Sequence, residues 1–220
     1  MTKAQMNRRL RVLLADDHTM LLAAFRRLLE PRCEIVGTAA DGRALLEVAG
    51  KARPDVIVLD VSMPQLNGMD AFIQLRRKMP EVKFIFLTVN EDRDTAAHAI
   101  NLGASGYLLK SSASGELFTA IERALAGKIY ITPLLTKGVS LGVFLSQAAK
   151  PDVEKLTVRQ REVLQLLGEG RAMKEIADLL NVTARTVAFH KYTIMEHLGA
   201  KTTAELVQYA VEHGMLKKHI

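Results

Sequence analysis

The chain has 220 residues, 49% of them hydrophobic and 25% charged, which is enough for two ordinary domains with buried cores and excludes a disordered or low-complexity chain. A single cysteine, Cys33, excludes an internal disulfide framework and suits a reducing cytoplasm; no apolar run is long enough to span a bilayer, so no membrane partner is expected. Net charge is +6, which invites a nucleic-acid partner, but no large stretch is strongly basic, so binding has to be argued from local arrangement.

Near the start, Arg8-Arg9-Leu10-Arg11 ahead of Val12-Leu13-Leu14-Ala15 faintly resembles an export signal, but Asp16-Asp17 interrupts the apolar run too early for one. Short apolar strands then alternate with amphipathic helical patterns, which predicts βαβ units on a parallel sheet. The strands are expected at 12–15, 35–38, 56–59, 84–88 and 106–109, and the helices at 18–29, 43–49, 69–78, 95–102 and 114–126. The fold class expected for residues 1–127 is therefore α/β, a doubly wound five-stranded parallel sheet.

Strand ends carry the polar residues. The first strand runs into Asp16-Asp17, the third into Asp60, the fourth into Thr88 and the fifth into Lys110. Right-handed crossovers bring these ends to one edge of the sheet, where ligands bind in such folds. Singly, Asp60 reads as a turn former, Thr88 as a helix cap, Lys110 as a solvated charge and Tyr107 as strand filling. Jointly they read differently: three carboxylates in one crevice need a cation, and oxygen ligands suit Mg²⁺. A hydroxyl and an ammonium beside it would bind phosphoryl oxygens, making Asp60 the nucleophile of a phosphoryl-transfer site. His18 is read as a helix cap or a residue supporting the carboxylates from behind, and is left out of the metal set.

Residues 11 to about 127 resemble a response-regulator receiver domain, flavodoxin-like in fold, through Asp16-Asp17, Asp60 with Met63-Pro64 and Gly68, Thr88, and Gly106-Tyr107-Leu108-Leu109-Lys110. The resemblance implies that Asp60 accepts phosphate from a sensor histidine kinase. It also implies that Asp16, Asp17, Asp60 and the Ser62 backbone carbonyl hold Mg²⁺, that Thr88 and Lys110 grip the phosphate, and that Tyr107 rotates with it. Ser62 and Asn90 flank the approach of water, and neither is acidic, so the phosphorylated state is expected to last minutes rather than seconds.

Residues 128–151 lose the alternation and are read as a linker, too apolar around Leu134, Leu135, Leu141, Val143, Phe144 and Leu145 for a free tether. A helical turn or two packed against one domain is expected there.

Residues 152–220 read as wholly helical. Thr157 caps a first helix with Gln160 in the capping-box position; a second runs from Ala172 to Leu180; Thr183 caps a third, stopped by Gly199; Thr202 caps a fourth. Two short helices joined by a tight turn suggest a helix-turn-helix, with no acidic side chain between Asp178 and Glu196. The segment resembles a LuxR-type DNA-binding domain through Leu156-Thr157, Arg161-Glu162-Val163-Leu164, Lys174-Glu175-Ile176-Ala177, Thr186-Val187, His190 and Leu198-Gly199. With a receiver ahead of it, the whole chain is similar to a NarL/FixJ-type two-component response regulator. Departures are Gln160 for the usual Glu, Thr183 for Ser, and Ala188 and Phe189 where many relatives have a basic and a small residue.

Lys174, Arg185, Thr186, His190 and Lys191 are expected on phosphates of double-stranded DNA, with Ala188, Phe189 and Tyr192 facing base edges or thymine methyls. One module reads a short half-site, so a homodimer is expected on phosphorylation, with Val207, Tyr209, Ala210 and Met215 as its candidate contact face. The expected protein is a cytoplasmic switch with no catalysis beyond its own phosphorylation and dephosphorylation. The alternative is a phosphohydrolase of haloacid-dehalogenase type, but the acid such enzymes carry two residues after the nucleophile is replaced here by Ser62.

Overall fold

The computed structural model describes residues 8–89, 91–146 and 156–216. Alternating elements open the chain: β1 (Leu10–Ala15), α1 (Thr19–Leu29), β2 (Cys33–Ala39), α2 (Gly42–Ala52), β3 (Val56–Leu59), α3 (Gly68–Lys78), β4 (Lys83–Thr88), α4 (Arg93–Asn101), β5 (Gly106–Leu109), α5 (Ala113–Leu125) and β6 (Tyr130–Ile131). All strand pairs are parallel, in the order β2-β1-β3-β4-β5-β6. The sheet thus has six strands rather than the five expected. The sixth comes from the stretch read as linker, where Tyr130 N–H and Thr132 N–H bond to the Ser105 and Tyr107 carbonyls at 3.1 and 3.0 Å. Two residues ahead of a Thr-Pro pair are too few to show the alternation that reveals a strand.

Strand side chains divide by parity. Leu13, Ile57, Leu59, Phe84, Phe86, Tyr107 and Leu109 face a core built with α2, α3 and α4, whereas Val12, Leu14, Val56, Val58, Ile85 and Leu108 face one built with α1 and α5. Burial on both faces explains why these strands read as unbroken apolar runs. After β6, α6 (Pro133–Thr136) and α7 (Leu141–Ser146) bury Leu135 and Phe144 in the first core, and the Arg93 guanidinium lies 5.3 Å from the centre of the Phe144 ring. The expected helical turns are present and pack against the α/β unit. Residues 147–155, and with them the boundary expected at 151–152, lie outside the described residues.

The helical unit comprises α8 (Val158–Gly168), α9 (Met173–Leu180), α10 (Ala184–Leu198) and α11 (Thr203–Glu212). Thr157 and Gln160 form the capping box, Thr183 and Thr202 accept the N–H groups of Thr186 and Glu205, and Gly199 ends α10 in the left-handed region. Val163, Leu164, Leu166, Ile176, Val187, Ile194, Leu206, Ala210 and Met215 form its core. Ala210 and Met215 are therefore not available to a second copy, which corrects two of the four contact residues expected on and just after α11. No helix among the described residues is long and apolar enough to cross a membrane.

Candidate functional site

Between β1 and β3 the chain reverses direction across the sheet, and the crevice at their carboxyl ends is the place where such sheets take ligands. Ladder bonds continue past the strands and fix the residues just beyond them. Asp16 N–H donates to the Ala39 carbonyl at 3.0 Å, Asp60 N–H to Ala15 at 2.9 Å and Lys110 N–H to Thr88 at 2.8 Å. The side chains consequently converge: Lys110 Nζ is 2.6 Å from Asp16 Oδ2 and 2.8 Å from Asp60 Oδ2, all three side chains being nearly inaccessible. Burial alone would lower the Lys110 pKa, but the Asp60 and Asp16 carboxylates outweigh it and raise it.

Ligand atoms of Asp16, Asp17, His18 and Asp60 all lie within 4.8 Å of one another. Hard oxygen donors so grouped fit a divalent cation such as Mg²⁺. His18 stands beside this group, as a residue supporting its carboxylates would: its Nδ1 lies 3.1 Å from Asp16 Oδ1 and 3.2 Å from Asp17 Oδ1. It also stands at the N-cap of α1, where its side chain makes no capping bond.

Thr88 ends β4 fully buried, and Tyr107 points into the first core beside Phe86 with ring centres 6.0 Å apart. Burial, reinforced by the negative charges of Asp92 and Asp60, raises the Tyr107 phenol so that it stays protonated. Ser62 N–H approaches Asp60 Oδ1 at 3.4 Å. Asn90, paired with Ser62 in the expected protection against water, lies outside the described residues.

In the helical unit, α10 leaves Arg185, Phe189 and Tyr192 exposed, with Phe189 66% and Tyr192 68% accessible. Thr186, Ala188, His190 and Lys191 are partly exposed along the same helix, and Lys174 is exposed on α9. Val187 and Ile194 are buried, as core-facing positions should be.

Sequence reasoning missed the seam between the two units. Gln165 on α8 is fully buried there: its Oε1 accepts from Asn67 N–H at 2.7 Å and from Asn67 Nδ2 at 3.1 Å, and its Nε2 donates to the Met63 carbonyl at 2.8 Å. Glu169 accepts from Gln65 N–H at 2.8 Å, and Arg161 pairs with the buried Asp70 at 2.6 Å. Burial raises the Asp70 pKa, opposed by the Arg161 charge. A signal did exist. Gln165 is a polar residue inside Val163-Leu164-Gln165-Leu166-Leu167, and a buried amide needs partners.

Residues 12–122 match the family described as "Response regulator receiver domain", and residues 154–210 match "Bacterial regulatory proteins, luxR family". The transcriptional regulatory protein MctR of Rhizobium johnstonii is 33% identical over 96% of this chain and 97% of its own length. The oxygen regulatory protein NreC of Staphylococcus epidermidis is 33% identical over 94% of this chain and 100% of its own. Among solved structures, RcsB of Salmonella enterica serovar Typhimurium, bound to a promoter in the presence of the phosphomimetic BeF3-, superposes with a TM-score of 0.61 at 27% identity, covering 93% of this chain and 100% of that one.

Proposed function

The chain belongs to the NarL/FixJ-type two-component response regulators, a receiver joined to a LuxR-type helix-turn-helix unit, and on that premise we propose that Asp60 is the phosphoacceptor whose modification governs DNA binding by α10. The observation that carries this reading is the meeting of Asp16, Asp60 and Lys110 at three strand ends, in one chain with a recognition helix that exposes Arg185, Phe189 and Tyr192 and has no acidic residue ahead of Glu196. A carboxylate oxygen of Asp60 forms its bond to phosphorus as the phosphorus–nitrogen bond of a kinase phosphohistidine breaks and the imidazole departs. Asp16, Asp17, Asp60 and the Ser62 carbonyl would hold Mg²⁺, which when bound offsets the charge of the phosphoryl oxygens. Lys110 takes one of those oxygens and Thr88 another, and Tyr107 follows Thr88 within the core, so that the packing around α4 changes.

The partners are a sensor histidine kinase and double-stranded DNA, with a second copy joining on DNA. Domain limits of 1–127 and 152–220 stand as part of this proposal, with the observation that residues 130–146 pack against the receiver. The phosphohydrolase alternative gains no support from the matched families. Selection of duplexes from a random pool tests the reading. The phosphorylated chain enriches a sequence, and Asp60→Asn treated alike does not; equal enrichment by both would overturn it.

Lys174 on α9 and Arg185, Thr186, His190 and Lys191 on the recognition helix serve as phosphate contacts, and Ala188, Phe189 and Tyr192 as readers of base edges. Lys191→Ala is then expected to weaken binding to all duplexes about equally and to flatten the dependence of affinity on salt by about one phosphate contact. Binding titrations at several salt concentrations read this, and loss of preference at a single base pair would contradict it.

A further inference from the structure

The seam between the units grips the loop that follows Asp60. Gln165 holds that loop at both ends, through the Met63 carbonyl and Asn67 N–H, and Glu169 holds Gln65 between them. Beside it, Ser62 Oγ reaches the Gly214 carbonyl at 3.4 Å, past the end of α11. Asp17, Ser62 and Pro64 share a cleft of about 220 Å³ with Val207, Val211, Met215 and Leu216. The helical unit therefore stands over the mouth of the acidic pocket. The recognition helix is not what the seam covers, since Phe189 and Tyr192 remain exposed. The α11 residues Val207 and Val211 are turned to the cleft instead, on the element expected to meet a second copy.

We propose that Gln165 makes the helical unit a lid on the phosphoacceptor loop, so that DNA which assembles two copies, and thereby holds the lid open, speeds phosphorylation of Asp60. The inference rests on the proposed DNA-binding role and adds to it a direction of influence from DNA to the phosphoacceptor. A donor reaches Asp60 through the mouth, and the loop from Val61 to Asn67 must yield as a tetrahedral group is added beside it. Both steps favour the open form. Paired binding on DNA needs the α11 face free and favours the same form, so each event promotes the other by the same factor. Gln165 is a positioning residue here, acting through the loop rather than on the phosphoryl group.

The test uses the full chain, Mg²⁺, the small donor phosphoramidate and a duplex enriched from the random pool, reading the initial rate of Asp60 phosphorylation. The duplex is expected to raise the wild-type rate about tenfold, within the usual range of coupling between sites. Gln165→Ala is expected to reach that faster rate without DNA, to show no further rise with it, and to bind the duplex more tightly before phosphorylation by the same factor. Gln165→Glu loses the donor to both the Met63 carbonyl and Glu169 and sets a second carboxylate against Glu169, so it should open the seam at least as far as Gln165→Ala. Arg161→Gln, which unpairs Asp70 elsewhere in the seam, should move both readings in the same direction, so that a folding defect peculiar to position 165 does not decide the outcome. A duplex that binds but leaves the wild-type rate unchanged, or a Gln165→Ala rate equal to wild type, overturns the lid alone. Failure to enrich any duplex overturns the DNA reading itself.

Discussion

Gly68→Ala is expected to destabilise the protein by at least about 3 kcal/mol and to remove most phosphorylation with it. A Cβ built on Gly68 overlaps the Asp60 carbonyl oxygen and comes within 2.9 Å of its carbon. Neither side can yield cheaply. Asp60 is tied by its N–H to Ala15 and Gly68 by its N–H to the Val61 carbonyl at 2.7 Å, while the next turn of α3 is held by the Asn67 cap on Asp70 N–H. Relief comes only by moving the start of α3 or the phosphoacceptor itself. Gly115→Ala is the matched control, because nothing lies within 4 Å of a Cβ there and the position is helical; it should be neutral or slightly stabilising. Urea unfolding of both variants reads the difference, and a Gly68→Ala midpoint equal to wild type would refute the close approach.

The second large effect is expected at Lys110. Its ammonium bridges two buried carboxylates, and its removal takes the cation from between Asp16 and Asp60. Breaking one partner out of a buried ionic set costs about 3–5 kcal/mol. Lys110→Ala should therefore melt well below wild type in chelator. It should recover as Mg²⁺ is added, because a cation that binds only the folded site stabilises it by mass action. Wild type should respond less steeply, since its own ammonium already offsets the charge. Melting temperature against Mg²⁺ concentration separates the two, and a Lys110→Ala curve parallel to wild type would contradict the electrostatic account of the pocket.

Much of this pocket was legible from sequence because parallel strands buried on both faces announce themselves as apolar runs, and their ends are then fixed to one edge. Asp16, Asp17, Asp60, Thr88 and Lys110 each follow such a run. Capping chemistry was equally readable at Thr157, Thr183, Thr202 and Gly199, where one side chain or one backbone region decides the helix end. Short or distant features were not. Tyr130–Ile131 is too brief to show a period, and for His18 the sequence left a cap and a supporting role open until the fold set it against Asp16 and Asp17.

The seam was hidden for a different reason. Asn67, Asp70, Arg161 and Gln165 are each ordinary in their own helices, and only the packing of one unit on the other pairs residues about a hundred positions apart. The same packing explains why the expected contact face on α11 was only partly right. Its apolar positions serve two surfaces, Ala210 the unit's own core and Val207 and Val211 the cleft, while Met215 beyond the helix end borders both.

The central claim is that a phosphoryl group on Asp60 changes the hold of α10 on DNA. Titration of one enriched duplex with wild type and Asp60→Asn, each before and after phosphoramidate treatment in Mg²⁺, tests it most directly. Wild type should gain at least about tenfold in affinity on treatment, typical of coupled sites, and Asp60→Asn should gain nothing. Equal gains in both proteins, or none in wild type shown by mass to carry the phosphoryl group, would contradict the account.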